Sequence, residues 1–126
     1  MCVESKGCGC SGGGTKLVFA CSGAADVGAI ADQAARALTR QGAGKMYCMA
    51  GLGGDVGPIV ETTKKACAIL AIDGCNVDCV KSTLERLGFG GYAHLRVTDL
   101  GMQKGSSPAN DGHIAKVVSR GVEMLA

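Results

Sequence analysis

The sequence has no tryptophan, and its 126 residues include only two Phe and two Tyr. A hydrophobic core must therefore be built from Val, Ile, Leu, Ala and Met. No apolar run approaches the ~18 residues that a membrane-spanning helix needs. No block of one charge sign occurs either. The 13 Lys and Arg and 11 Asp and Glu are scattered, for a net charge of +2. A nucleic-acid surface needs a basic stripe, so this balance argues against that partner. Met1-Cys2-Val3-Glu4-Ser5-Lys6 lacks the basic start and apolar stretch of a signal peptide. No Walker-type or Gly-x-Gly-x-x-Gly pattern follows the first apolar run, so nucleotide binding has no motif behind it. The expectation is a cytoplasmic protein with neither a membrane nor a nucleic acid as partner.

Glycine and cysteine are abundant instead, at 21 and 8 residues. A chain of this length can bury a sizeable core without staples. Most of its cysteines also fall within regular hydrophobic patterns rather than in a short, loop-rich scaffold. Metal binding or thiol chemistry is therefore a better reading than a disulfide framework. Residues 1–14 hold Cys2, Cys8 and Cys10 among Gly and Ser and show no hydrophobic period. They read as a flexible tail, whose thiols either bind soft metals or do nothing. Residues 15–126 read as a single domain.

That domain alternates strand and helix patterns. Thr15–Ala20, Lys45–Ala50, Cys67–Ile72 and Ala93–Val97 are apolar runs of strand length. Each is followed by a helical period. In the first helix, Val27, Ile30, Ala31, Ala34, Ala35 and Leu38 share one face. Asp26 reads as its cap and Gly42 as its stop. Later helices are expected from about Val56 to Ala66, with Pro58 in the first turn, from about Val77 to Leu87, and from a cap at Asp111 onward. Four strand-helix units in sequence predict an α/β fold: a small doubly wound, three-layer sandwich of about four parallel strands, in the order 2-1-3-4.

The cysteines gain meaning from that fold. Cys21, Cys48 and Cys75 stand at equal steps of 27 residues, one strand-helix period each. Each should lie at or just past the carboxyl end of its strand. Those ends share one edge of a parallel sheet, with strands about 4.8 Å apart. Cys79 follows Cys75 by one helical turn. If the third helix starts near Cys75 or Asn76, both thiols face the same way. Four converging thiolates suit a tetrahedral soft site, with Zn²⁺ favoured over an iron–sulfur centre. A helix N-terminus beside Cys75 and Cys79 would favour their thiolates. Backbone N–H groups of Gly23, Gly51 and Gly74 would help balance the negative charge. Asp73 could act as a base, or instead cap a helix or support a ligand, as could Ser22. Cys67 reads as a small core residue, and His94 and His113 as structural or exposed.

The segment Ile72-Asp73-Gly74-Cys75-Asn76-Val77-Asp78-Cys79 resembles the signature of the DGC family, named for its Asp-Gly-Cys motif. Ala20-Cys21-Ser22-Gly23, Cys48-Met49-Ala50-Gly51 and Thr98-Asp99-Leu100-Gly101 are similar to its other blocks, so the likeness spans about residues 16–104. The resemblance implies a zinc-binding protein of bacterial or archaeal type, whose four zinc cysteines match Cys21, Cys48, Cys75 and Cys79. It implies no particular activity. The tail cysteines and Cys67 depart from the family pattern. Three functions remain open from sequence. The first is a closed zinc site without catalysis. The second is a metal-dependent enzyme using an opened site. The third is thiol redox or persulfide chemistry through Cys75 and Cys79.

Overall fold

A computed structural model describes residues 14–126. Residues 1–13 of the proposed tail, 1–14, lie outside it. The chain runs β1 (Lys16–Ala20), α1 (Asp26–Arg40), β2 (Lys45–Met46), α2 (Met49–Gly53), α3 (Gly57–Lys64), β3 (Ala68–Asp73), α4 (Cys79–Arg86), β4 (Ala93–Arg96) and α5 (Asp111–Leu125). A 3₁₀ turn over Val97–Leu100 follows β4. The sheet has the order β2-β1-β3-β4 and every pairing is parallel. The expected α/β sandwich and strand order are therefore what the chain adopts.

Strand alternation divides the core between two faces. Val18, Ala20, Leu70 and Ile72 point to one side and pack with α1 and α5 residues such as Ile30, Leu38 and Val117. Leu17, Phe19 and Ala71 point to the other and pack with Leu52, Val80 and Leu84. Covering both faces explains the continuous apolar strands. Each fully buried Leu, Ile or Phe contributes roughly 1.5–3 kcal/mol. The sparse aromatics still meet: the Phe19 and Tyr47 rings make an edge contact at 6.2 Å.

Boundaries differ from the sequence expectation where tertiary packing intervenes. The second strand is only two residues long, and Met49 and Ala50 are helical. Leu52 is fully buried, and coiling the segment after Cys48 is what brings it under the sheet. Asp26 is not the cap of α1. Ala25 holds that position, while Asp26 is the first helical residue. Its carboxylate accepts from the N–H groups of Val27, Gly105 and Ser107 at 2.8, 2.9 and 3.0 Å. It thereby ties the loop before α5 to α1. Likewise Asn110, not Asp111, caps α5 and accepts from His113 N–H at 2.8 Å. Cys67 precedes β3, is half-buried, and is disulfide-bonded rather than a free core thiol. No helix among the described residues is long and apolar enough to cross a membrane.

Candidate functional site

Cys21 leaves β1 at the sheet's carboxyl edge, and its N–H still donates to Ile72 O at 3.1 Å. Cys48 caps α2, two residues past β2. Cys75 stands two residues past β3, and its carbonyl accepts from Asp78 N–H at 3.2 Å in a tight turn. Cys79 opens α4. All four carry free thiols, Cys21 and Cys75 half-buried, Cys48 and Cys79 exposed.

Gly74 explains how two of these segments approach. A methyl group there would lie 2.8 Å from the Val27 carbonyl carbon and 2.9 Å from Gly28 N. Backbone meets backbone at that point, and only glycine fits. The close approach lets Gly74 N–H donate to Cys21 Sγ at 3.4 Å. Gly51, expected to serve sulfur in the same way, is instead close to Ile59, whose Cγ1 would be 2.8 Å from an added methyl. Gly23 serves the edge through its backbone. Its carbonyl oxygen would lie 2.6 Å from a methyl on Gly28. Ser22 has a left-handed φ of 51°, and its hydroxyl donates to Asp32 at 2.8 Å.

α4 starts later than expected. Asp78 occupies the cap position with φ 57° and ψ 49°, which removes Cys75 from the helix. Cys75 and Cys79 therefore do not share a helical face. Asp78 cannot cap α4 itself, because its carboxylate takes Arg96 Nε at 3.0 Å and Nη2 at 2.6 Å. Asp73 does so from β3, accepting Val80 N–H at 2.8 Å and Lys81 N–H at 3.1 Å. His94 Nε2 lies 2.9 Å from Asp73 Oδ2. Asp73 is 1% exposed, so these donors stand in for water.

The electrostatics of Cys79 run opposite to the helix-dipole expectation. Partial desolvation pushes its thiol pKa up. The Asp73 carboxylate adds to this, followed by the thiols of Cys21 and Cys75, while Lys104 offsets part of it. Lys104 Nζ lies 3.7 Å from Cys75 Sγ. Desolvation, seconded by the Asp73 carboxylate, sets the direction.

Among the described residues, the group of three or more metal-capable side chains with donor atoms within 4.8 Å of one another is Asp73, Asp78 and His94. No three of the described thiols close to that range. The oxygens of this trio are already engaged by α4 N–H groups, Arg96 and His94 itself. The trio is therefore a hydrogen-bonded brace under α4 rather than an open cation site. Its β4 half was missed from sequence, although the period of two puts His94 and Arg96 on one face. Registered pairing sets Arg96 beside Asp73.

Comparison with known proteins bears on this arrangement. The family model described as DGC domain matches residues 17–120. A protein of Pseudomonas aeruginosa strain PAO1, "Anaerobic and virulence modulator AnvM", is 40% identical over 88 residues, which is 70% of this chain and 67% of that protein. No solved structure matches.

Proposed function

The chain belongs to the DGC domain family, and from that premise we propose that it binds a zinc ion through Cys21, Cys48, Cys75 and Cys79. The observation that carries the reading is geometric: Cys21, Cys48 and Cys75 each follow the carboxyl end of a parallel strand, Cys79 opens α4 four residues past Cys75, and all four thiols are free. Cysteine side chains gathered on one edge suit a soft dication, which binds them as thiolates and takes their protons' place.

The donor chemistry fits the metal. Four thiolates around Zn²⁺ leave a net charge of −2, and the edge supplies partial compensation. Gly74 N–H already points at Cys21 Sγ, and the Lys104 ammonium stands beside Cys75. Cys75 and Cys48 lie on short connections rather than in the sheet, so ligation would draw them in and order the edge. Four cysteines leave no open position for substrate, which makes the site structural or carrier-like rather than catalytic.

Metal analysis of the chain purified without oxygen tests this directly. About one Zn²⁺ per chain, with four thiols protected from alkylation until chelator is added, is the expected result. Cys48→Ser and Cys75→Ser should each lower metal content. Iron with visible absorbance would replace zinc by a cluster. A metal-free chain, or unchanged zinc in both variants, would overturn the site.

A further inference from the structure

From near the thiol edge, α1 carries charged side chains along the flank of β2. Asp32 is fully engaged there, accepting Ser22 Oγ–H on one oxygen and Arg36 Nε–H on the other, each at 2.8 Å. The strap holds Ser22 in its left-handed conformation, which a non-glycine residue seldom adopts without a local reason. Arg36 is thereby fixed through Nε alone. Arg40, one turn on, has no ion pair among the described residues. The i, i+4 spacing puts both guanidinium groups on one side of α1. Between them and the chain from Met46 to Ala50 lies a cavity of about 960 Å³, bordered by Cys21 and Cys48. Met46, Tyr47 and Met49 form its apolar wall.

We propose that this cavity binds a small organic anion, with its carboxylate or phosphate head on Arg36 and Arg40 and a short apolar body against Met46 and Tyr47, beside the thiols of Cys21 and Cys48. The planar guanidinium fork matches an oxyanion edge to edge. The volume suits a small molecule, and one cationic wall opposite an apolar one sets its orientation. The two arginines stand apart from any basic stripe, so a nucleic-acid backbone is not the match. The proposal goes beyond metal binding: neither arginine is a metal donor, and the anion would bind whether or not the thiols hold zinc.

Two alkylating reagents with the same reactive carbon test it. In each reaction the thiolate sulfur bonds to the CH₂ carbon, iodide leaves, and the thiol proton goes to buffer. Iodoacetate carries the anionic head and iodoacetamide does not. Rates at Cys48 and Cys79 are followed by mass spectrometry on the full chain, as purified and after EDTA. Cys79 does not border the cavity and serves as the internal reference. After EDTA, the iodoacetate-to-iodoacetamide rate ratio at Cys48 should exceed that at Cys79 by about tenfold, the scale of one charge-assisted hydrogen bond. Arg36→Gln with Arg40→Gln should erase the difference. Butyrate and butyl phosphate, in separate arms, should slow iodoacetate at Cys48, and the stronger competitor identifies the head group.

Amide NMR shifts during the same two titrations provide a readout that needs no thiol reaction. They should concentrate at Ser22, Tyr47 and the end of α1. Equal ratios at the two cysteines, a ratio that survives both arginine substitutions, or an absence of shifts with either anion would overturn the proposal. Protection of Cys48 that disappears with EDTA bears on the metal alone, so the two readings fail separately.

Discussion

Gly74 N–H donates to Cys21 Sγ across 3.4 Å, joining residues 53 positions apart. The contact requires that nothing larger than hydrogen stand on Gly74, because α1's first turn presses against it. The glycine of the Asp-Gly-Cys motif is thus a packing element that sets the distance between two cysteine-bearing loops.

Gly74→Ala should destabilise the fold by ~1–3 kcal/mol, the usual scale of overpacking against atoms that cannot yield. Urea unfolding measures that cost. Metal content measured on the folded fraction should also fall. A variant of wild-type stability with full metal content would show that the close approach is not needed.

Asp73→Ala should lower stability by ~2–4 kcal/mol, because it strands the buried Val80 N–H, the half-buried Lys81 N–H and the His94 ring. His94→Ala leaves the Asp73 cap intact and should cost about 1 kcal/mol. The test is the order of the two urea midpoints. An equal loss would mean that the brace acts as one unit and that Asp73 has no separate capping role.

Asp26 predicts acid sensitivity. Hydrogen bonding from Gly105 N–H, followed by those from Ser107 and Val27, holds its carboxyl below the ordinary value of 3.8 against some desolvation. A depressed folded pKa contributes stability above the unfolded value, and that stability is lost as pH falls through the folded value. Asp26→Asn should therefore be less stable than wild type at neutral pH. The two stability curves should converge once pH drops below the folded pKa. Parallel curves across the acid range would defeat this assignment.

Cys67→Ser should leave metal content unchanged, since Cys67 precedes β3 at the opposite end of that strand from Asp73 and Gly74. Loss of zinc in that variant would mean that the ligand set has been misassigned.

Much of this was legible in the linear chain. Periodicity located all four strands and the long helices. The 27-residue step placed Cys21, Cys48 and Cys75 at the carboxyl edge, because repeated parallel crossovers return each strand end to one side. Local boundaries were harder to read. The burial of Leu52 shortened β2, and the left-handed Asp78 delayed α4 until Cys79. Both outcomes depend on contacts with distant residues.

The sequence by itself determined the sheet, its order and the edge on which the cysteines stand, since hydrophobic period and crossover handedness are properties of neighbouring residues. Tertiary structure alone decided the rest. It turned Asp73 from a possible base into the cap of a helix it does not belong to. It paired Asp78 with Arg96 and set His94 under the brace. It also raised the Cys79 pKa where a helix N-terminus alone would have lowered it. Those results come from the summed field and the hydrogen-bond demand of groups that meet only when β3, β4 and α4 are packed together.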